Sequence, residues 1–137
     1  MSTRKIDVAK IWSLNYRLLM SVISSVAPDI TELGLEMKEL FVLAEVDMHP
    51  HPAELAGVLC MPKPSVTVYV KRLEAAGFLR REIDGEDLRR HRLILTAEGR
   101  KTMARGLALL SKVFGARLAR LNSAQQSELA TLLAKLN

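Results

Sequence analysis

Residues 87–99 read Asp87-Leu88-Arg89-Arg90-His91-Arg92-Leu93-Ile94-Leu95-Thr96-Ala97-Glu98-Gly99. A basic tip passes into an alternating apolar strand, and a helix start follows at once. That order describes a β-hairpin with a cationic outer end and an inner end tied to a helix. Upstream stand Ala53-Glu54-Leu55-Ala56, a short break, then Ser65-Val66-Thr67, Arg72-Leu73 and Gly77-Phe78-Leu79. Two short helices ahead of a basic hairpin predict a winged helix-turn-helix, and the expected ligand is duplex DNA. The fold class expected is mainly α with a small β-hairpin wing.

The 137 residues suffice for one domain with a real core and are short for two. Hydrophobic residues make up 49% of the chain, which excludes a disordered class. A formal charge of +5 favours an anionic partner without choosing among nucleic acid, membrane and acidic protein. The one cysteine, Cys60, excludes an internal disulfide framework and suits a reducing compartment. No charged-then-apolar leader opens the sequence, and its apolar runs are too short and too often interrupted to span a bilayer. A soluble, cytoplasmic protein is expected.

Working outward, a first helix is expected over about residues 6–27, with Trp12, Tyr16, Leu19, Val22, Ile23 and Val26 on one dry face and Pro28 as its stop. A second, about 36–46, points Met37, Leu40, Phe41 and Ala44 inward. Met48-His49-Pro50-His51-Pro52 is a rigid connector to a third helix over about 53–59. The fourth begins near Lys63, accepts Pro64 in its first turn and stops before Gly77 in a left-handed turn. Strands are expected over 78–82 and 92–95, with Asp84-Gly85 at the tip. Thr96 caps a long fifth helix reaching about residue 121, in which Gly106 and Gly115 invite close approach of another helix. Ser123-Ala124-Gln125-Gln126 reads as a capping box for a last helix ending near residue 136.

In the fourth helix, Val66, Tyr69, Val70 and Leu73 fall at i, i+3, i+4 and i+7, so they face the core. Ser65, Thr67, Val68, Lys71 and Arg72 are left outward. Thr67 and Val68 sit where a recognition helix meets base edges; Val68 offers only apolar contact to a thymine methyl, whereas Lys71 and Arg72 suit phosphates. Around the hairpin, Arg80, Arg81, Arg89, Arg90, His91 and Arg92 concentrate positive charge, with Asp84, Glu86 and Asp87 among them. An Asp87–Arg89 pair makes sense if the carboxylate fixes the guanidinium for a narrow minor groove.

Asp87, Arg89, Leu93, Leu95, Thr96 and Gly99 fit D-x-R-x-x-x-L-x-L-T-x-x-G, the wing signature of the MarR family of transcription regulators. Gly34-Leu35 with Phe41 and Leu43, Glu54-Leu55-Ala56, Val66-Thr67, Arg72-Leu73-Glu74 and Gly77-Phe78-Leu79 follow the family order, so the chain resembles that family over nearly its whole length. The resemblance implies a homodimer joined by the first and last two helices, reading a palindromic operator. It makes residues 1–137 a single MarR-like domain. Within it, about 34–95 form the winged lobe, and about 5–30 and 97–137 the helical dimerisation region. Carried onto matching positions, Ser65 and Thr67 contact DNA from the recognition helix and Arg89 from the wing. Two positions depart from the family pattern: Val68, where arginine or another polar residue is common, and Pro62, where the N-cap is usually polar.

The DNA-facing set expected is therefore Lys63, Ser65, Thr67, Val68, Lys71, Arg72, Arg89 and Arg90, with Asp87 as wing support. The function expected is a ligand-responsive repressor, with a small-molecule effector whose identity the sequence does not disclose. Trp12, Tyr16 and Met20 serve equally as core or as the wall of an effector cavity. The alternative is a winged-helix module that binds protein without specific DNA binding. Neither metal nor cofactor is expected. His49 and His51, with Asp47 and Cys60 nearby in sequence, match no ligand spacing and read as connector residues, and Cys60 reads as a buried small hydrophobe. No acid–base pair, phosphate loop or nucleophile motif supports an enzyme.

Overall fold

Three helices in the middle of the chain stop in the same way. The computed structural model describes residues 4–87 and 90–137, and among these the order is α1 (Val8–Glu32), α2 (Met37–Glu45), α3 (Pro52–Leu59), α4 (Lys63–Ala75), β1 (Leu79–Ile83), β2 (His91–Leu95), α5 (Ala97–Leu118) and α6 (Ser123–Leu136). At the end of α1 the Leu35 N–H donates to the Ile30 carbonyl (3.3 Å) and the Gly34 N–H to that of Thr31 (2.9 Å). The end of α4 repeats this with Phe78 to Leu73 (2.9 Å) and Gly77 to Glu74 (3.0 Å). Both are Schellman turns, and both need the left-handed backbone that Gly34 (φ 83°) and Gly77 (φ 81°) supply. At the end of α3 the same pair of bonds runs from Met61 to Ala56 and from Cys60 to Gly57.

Cys60 fills the glycine position there, at φ 52°, and it is solvent-exposed rather than the buried hydrophobe its neighbours suggest. Its Sγ lies 3.8 Å from the Gly57 carbonyl, and a non-glycine residue in this αL conformation costs roughly 1–2 kcal/mol.

Pro28 does not stop α1 at residue 27; it lies inside the helix, which continues to Glu32. An internal proline costs about 3 kcal/mol, but one further turn delivers Ile30, fully buried, and sets up the Gly34 stop that buries Leu35. Burying an aliphatic side chain contributes roughly 1.5–3 kcal/mol, so the two together offset the proline. In α2 the inward face also differs from expectation. Leu40, Val42 and Leu43 are buried and Ala44 is exposed, because α2 packs against both α3 and α4 and so buries more than one stripe.

The chain falls into two compact units. The unit Ala27–Leu109 holds the last turn of α1, α2, α3, α4, the hairpin and the first half of α5. Its core is Ile30, Leu35, Leu40, Val42, Leu43, Leu55, Val66, Val70, Leu73, Leu79, Leu93 and Leu95. β1 and β2 are antiparallel, with Leu79 opposite Leu95, Arg81 opposite Leu93 and Ile83 opposite His91. The ladder is one residue longer at the tip than the strand pattern predicts. The connector before α3 also joins it: the Leu93 N–H donates to the Pro50 carbonyl at 2.8 Å, so the Met48–Pro52 stretch lies along β2.

Thr96 caps α5 as expected. Its hydroxyl accepts from the Gly99 N–H (3.0 Å) and donates to the Gly77 carbonyl (2.5 Å), clamping the start of α5 to the end of α4. Asp47 and Arg100 form a two-pronged ion pair (2.9 and 3.3 Å), and the Arg100 hydrogen bond holds the Asp47 carboxyl below its ordinary range.

The second unit comprises Met1–Val26 and Leu110–Asn137. The cap of α6 is Asn122, not Ser123: its carboxamide accepts from the Gln125 N–H while the Gln125 side chain accepts from the Asn122 N–H. Gln126 donates to the carbonyls of Leu118 (2.9 Å) and Leu121 (3.1 Å), satisfying the end of α5. Apolar side chains of this unit stay in water: Trp12 (64% exposed), Tyr16, Leu19, Leu132, Leu133 and Leu136 (83%). The expected dry face of α1 is therefore uncovered over its first half, which is an unusually large apolar exposure for a soluble monomer. No single described helix is long and apolar enough to cross a membrane.

Candidate nucleic-acid interface

α4 is the candidate for the interface because its two faces differ so sharply. Val66, Val70 and Leu73 are buried against α2, α3 and β1, which fixes the rotation of the helix about its axis. Lys63, Thr67, Val68, Lys71 and Arg72 consequently face water, and Ser65 is half-buried at the first turn. Tyr69 departs from the expected core face. It is only half-buried, and the Arg72 guanidinium stands 5.9 Å from its ring centre in a cation–π contact.

The cations of the expected set are not equivalent. Arg72 donates to Glu36 at the start of α2 (3.1 Å), and Arg90 approaches Glu54 in α3 at 3.5 Å. Glu54 also faces His49 at 3.6 Å. Lys63 and Lys71 make no ion pair among the described residues and stand ready for an external anion. The expected phosphate role of Arg72 is therefore in competition with a carboxylate 36 residues earlier in the chain.

Exposed pairs of this kind contribute only about 0–1 kcal/mol, so Glu36 restrains Arg72 without locking it. We expect Glu36→Gln to raise affinity for DNA about two- to five-fold at low salt, since roughly 0.2–1 kcal/mol is released. The neutral amide keeps the capping role of Glu36 on α2, so folding should be unaffected. Anisotropy titration of both proteins on one duplex checks this, and equal affinity would show that Arg72 takes no part. An equal gain in an Arg72→Gln background would instead mean simple loss of negative charge.

In the wing, Arg81 pairs with Glu74 of α4 (2.8 Å) and Arg80 with Glu82, so the base of the hairpin is internally neutralised. Arg92 is exposed on β2, opposite Glu82 in the register, in keeping with an edge residue. The tip closes through the Asp84 N–H to the Arg90 carbonyl (2.9 Å) and the Arg90 N–H to the Asp87 carbonyl (3.0 Å). Asp84 accepts from the Glu86 N–H at 2.9 Å, and that bond, with His51, Arg90 and Arg92 nearby, holds its carboxyl below the ordinary range. Asp87 is half-buried. Arg89 lies outside the described residues, and so therefore does the expected Asp87–Arg89 pair.

His51 was readable only as a connector residue, yet it ties that connector to the wing. Its Nε2 lies 3.3 Å from the Asp84 carboxylate and its Nδ1 3.3 Å from the His91 carbonyl. No sequence signal marks this contact, or the Glu36–Arg72 and Glu54–Arg90 pairs, because each joins residues more than thirty positions apart. Asp47, His49 and His51 each face a different partner, and among the described residues no group of three or more His, Cys, Asp or Glu side chains could hold a metal ion.

A lobe of three helices whose third, α4, presents an exposed polar face, with a hairpin packed after it, is a winged helix-turn-helix. The sequence model of the MarR family matches residues 33–90. Among solved structures, the MarR family protein Rv2887 of Mycobacterium tuberculosis in complex with DNA is 27% identical. Its TM-score is 0.76, with 97% of this chain and 99% of that one covered. Its complex with p-aminosalicylic acid gives 27% identity, a TM-score of 0.75, and coverage of 96% and 98%. Apo MarR of E. coli shares the fold at 19% identity, with a TM-score of 0.76 and coverage of 97% and 98%. No curated protein matches by sequence. The winged lobe over residues 33–90 is thus similar to the MarR family, and the chain has the winged-helix fold of the MarR structures over nearly its whole length.

Proposed function

We propose that the protein is a ligand-responsive repressor that binds a palindromic operator as a homodimer. The observation that carries this reading is the exposed face of α4, where Lys63 and Lys71, without an ion pair among the described residues, flank Thr67 and Val68 beside a basic wing. Two such helices must sit about 34–36 Å apart to enter successive major grooves on one side of the duplex. Arg89 and Arg90 of the wing, with Asp87 supporting them, reach the flanking backbone or minor groove, and Ser65 and Arg72 add contacts from α4.

The dimer is supported by the uncovered apolar side chains of the unit that holds both termini, which call for a second copy. The Rv2887 complexes with DNA and with p-aminosalicylic acid support a DNA partner and a small-molecule effector for this chain as well. An effector acts by binding differently to the two spacings of the recognition helices. Cytoplasmic location follows from this role.

The test is anisotropy titration on DNA upstream of the protein's own gene, with unrelated DNA as competitor, alongside light scattering for the dimer. Binding that survives competitor supports the reading. Affinity that barely responds to salt supports instead the winged-helix module that binds protein, since DNA binding releases counterions. Arg89→Ala should weaken specific binding by about 1–3 kcal/mol if that residue reads the groove. Unchanged operator affinity in the folded variant would remove Arg89 from the site.

A further inference from the structure

The outward face of α4 is poor in the groups that usually read bases. Bidentate recognition of guanine or adenine needs arginine, lysine, asparagine or glutamine near the N-terminal half of the recognition helix. Apart from Lys63 at its first residue, the N-terminal half of α4 instead offers Ser65, half-buried, and Thr67 and Val68, both exposed, with Val66 turned into the core. Val68 is 47% exposed although α4 has a fully formed apolar face elsewhere. The Thr67 hydroxyl donates its hydrogen to the Lys63 carbonyl at 3.0 Å, so it can only accept, and its γ-methyl is the part of the side chain left uncommitted. The nearest guanidinium on the same helix, Arg72, is one turn further on and turned toward Glu36.

What remains is an apolar surface of methyl groups flanked by Lys63 and Lys71. One feature of the major groove complements it, the C5-methyl of thymine. We propose that α4 selects thymine by methyl contact, with Val68 and the Thr67 γ-methyl as the reading surface, so that each half-site carries a thymine facing Val68. This inference rests on the DNA-binding reading above and names its specificity. Lys63 and Lys71 hold the helix to phosphates on either side and contribute no sequence preference.

The experiment begins with duplexes selected for tight binding from a random library, which are then rebuilt with deoxyuridine in place of single thymines. Uracil pairs as thymine does and lacks only the methyl group. Removal at the position facing Val68 should weaken binding about four-fold, and about fifteen-fold when both half-sites are changed, as expected for losing one buried methyl each. In Val68→Ala the thymine duplex should lose a similar factor and the uracil penalty should shrink toward none. That coupling separates direct contact from any effect of uracil on DNA shape. Thr67→Ser, which keeps the hydroxyl and removes the γ-methyl, should weaken binding to the thymine duplex about four-fold per half-site, the same loss as one methyl of the base.

A selected site bound equally with thymine or uracil overturns the proposal. So does an undiminished uracil penalty in Val68→Ala, or a Thr67→Ser variant that binds the thymine duplex as tightly as the parent protein. Failure to select any sequence above unrelated DNA overturns the DNA-binding reading itself, and this inference with it.

Discussion

Gly99→Ala is expected to destabilise the protein by about 3 kcal/mol or more, with Tm falling by roughly 10 °C. Helix propensity alone predicts the opposite sign, since alanine gains up to about 1 kcal/mol over glycine inside a helix. Packing decides it. A Cβ on Gly99 would lie 2.0 Å from the Phe78 carbonyl oxygen and 2.8 Å from the carbonyl carbon, and both are backbone atoms. That carbonyl already accepts from the Thr96 N–H (3.1 Å), and Phe78 closes the Schellman turn of α4. The first turn of α5 therefore cannot move without disturbing the end of α4 and the start of β1.

Two further glycines in α5 provide the controls. At Gly106 the added carbon would meet Leu40 Cδ1 at 2.6 Å, a side-chain end that can shift, so the loss should be smaller. At Gly115 nothing lies within 4 Å of the added carbon. Gly115→Ala should then gain up to about 1 kcal/mol from propensity. Denaturant unfolding of the three variants should rank them in that order, and a neutral Gly99→Ala would refute the packing account.

Gly99 also shows what a sequence can and cannot say. Its place in the wing signature is visible, and so are the Gly34 and Gly77 stops, the Thr96 cap, the buried face of α4 and the basic hairpin. All of these are local: a cap, a turn or a period lies within a few residues of its cause. The failures have non-local causes or rest on a trade-off between two local rules. Pro28 argued for a stop, and the burial of Ile30 and Leu35 outweighed it. Cys60 looked apolar by neighbourhood, while its αL turn put it in water. Ala44 fitted a single helical stripe, but α2 is covered on more than one side. The restraint of Arg72 by Glu36 and the His51 link to the wing join positions brought together only by the finished fold. Which guanidinium stays unpaired was therefore illegible, although the exposed face of α4 was plain.

That distinction governs the second large effect, the response of DNA binding to salt. Lys63 and Lys71 make no ion pair among the described residues, while Arg72, Arg80, Arg81 and Arg90 each face a carboxylate. With Arg89 of the wing added as proposed, each lobe brings three cations to phosphate or groove, and a dimer brings about six. Counterion release then gives a slope of log affinity against log salt near −5, and a loss of roughly a thousand-fold between 50 and 200 mM. Counting every arginine and lysine of α4 and the hairpin would nearly triple the slope, to about −14, so the measurement tests whether the internal pairs hold on DNA. A slope near −3 would mean that one lobe binds alone and would count against the dimer. A slope near −13 would mean that phosphates displace Glu36, Glu54, Glu74 and Glu82 from their arginines. Glu36→Gln offers an internal check: by freeing Arg72 in both lobes it should steepen the slope by about two. An unchanged slope would place Arg72 away from the phosphates whatever its charge partner.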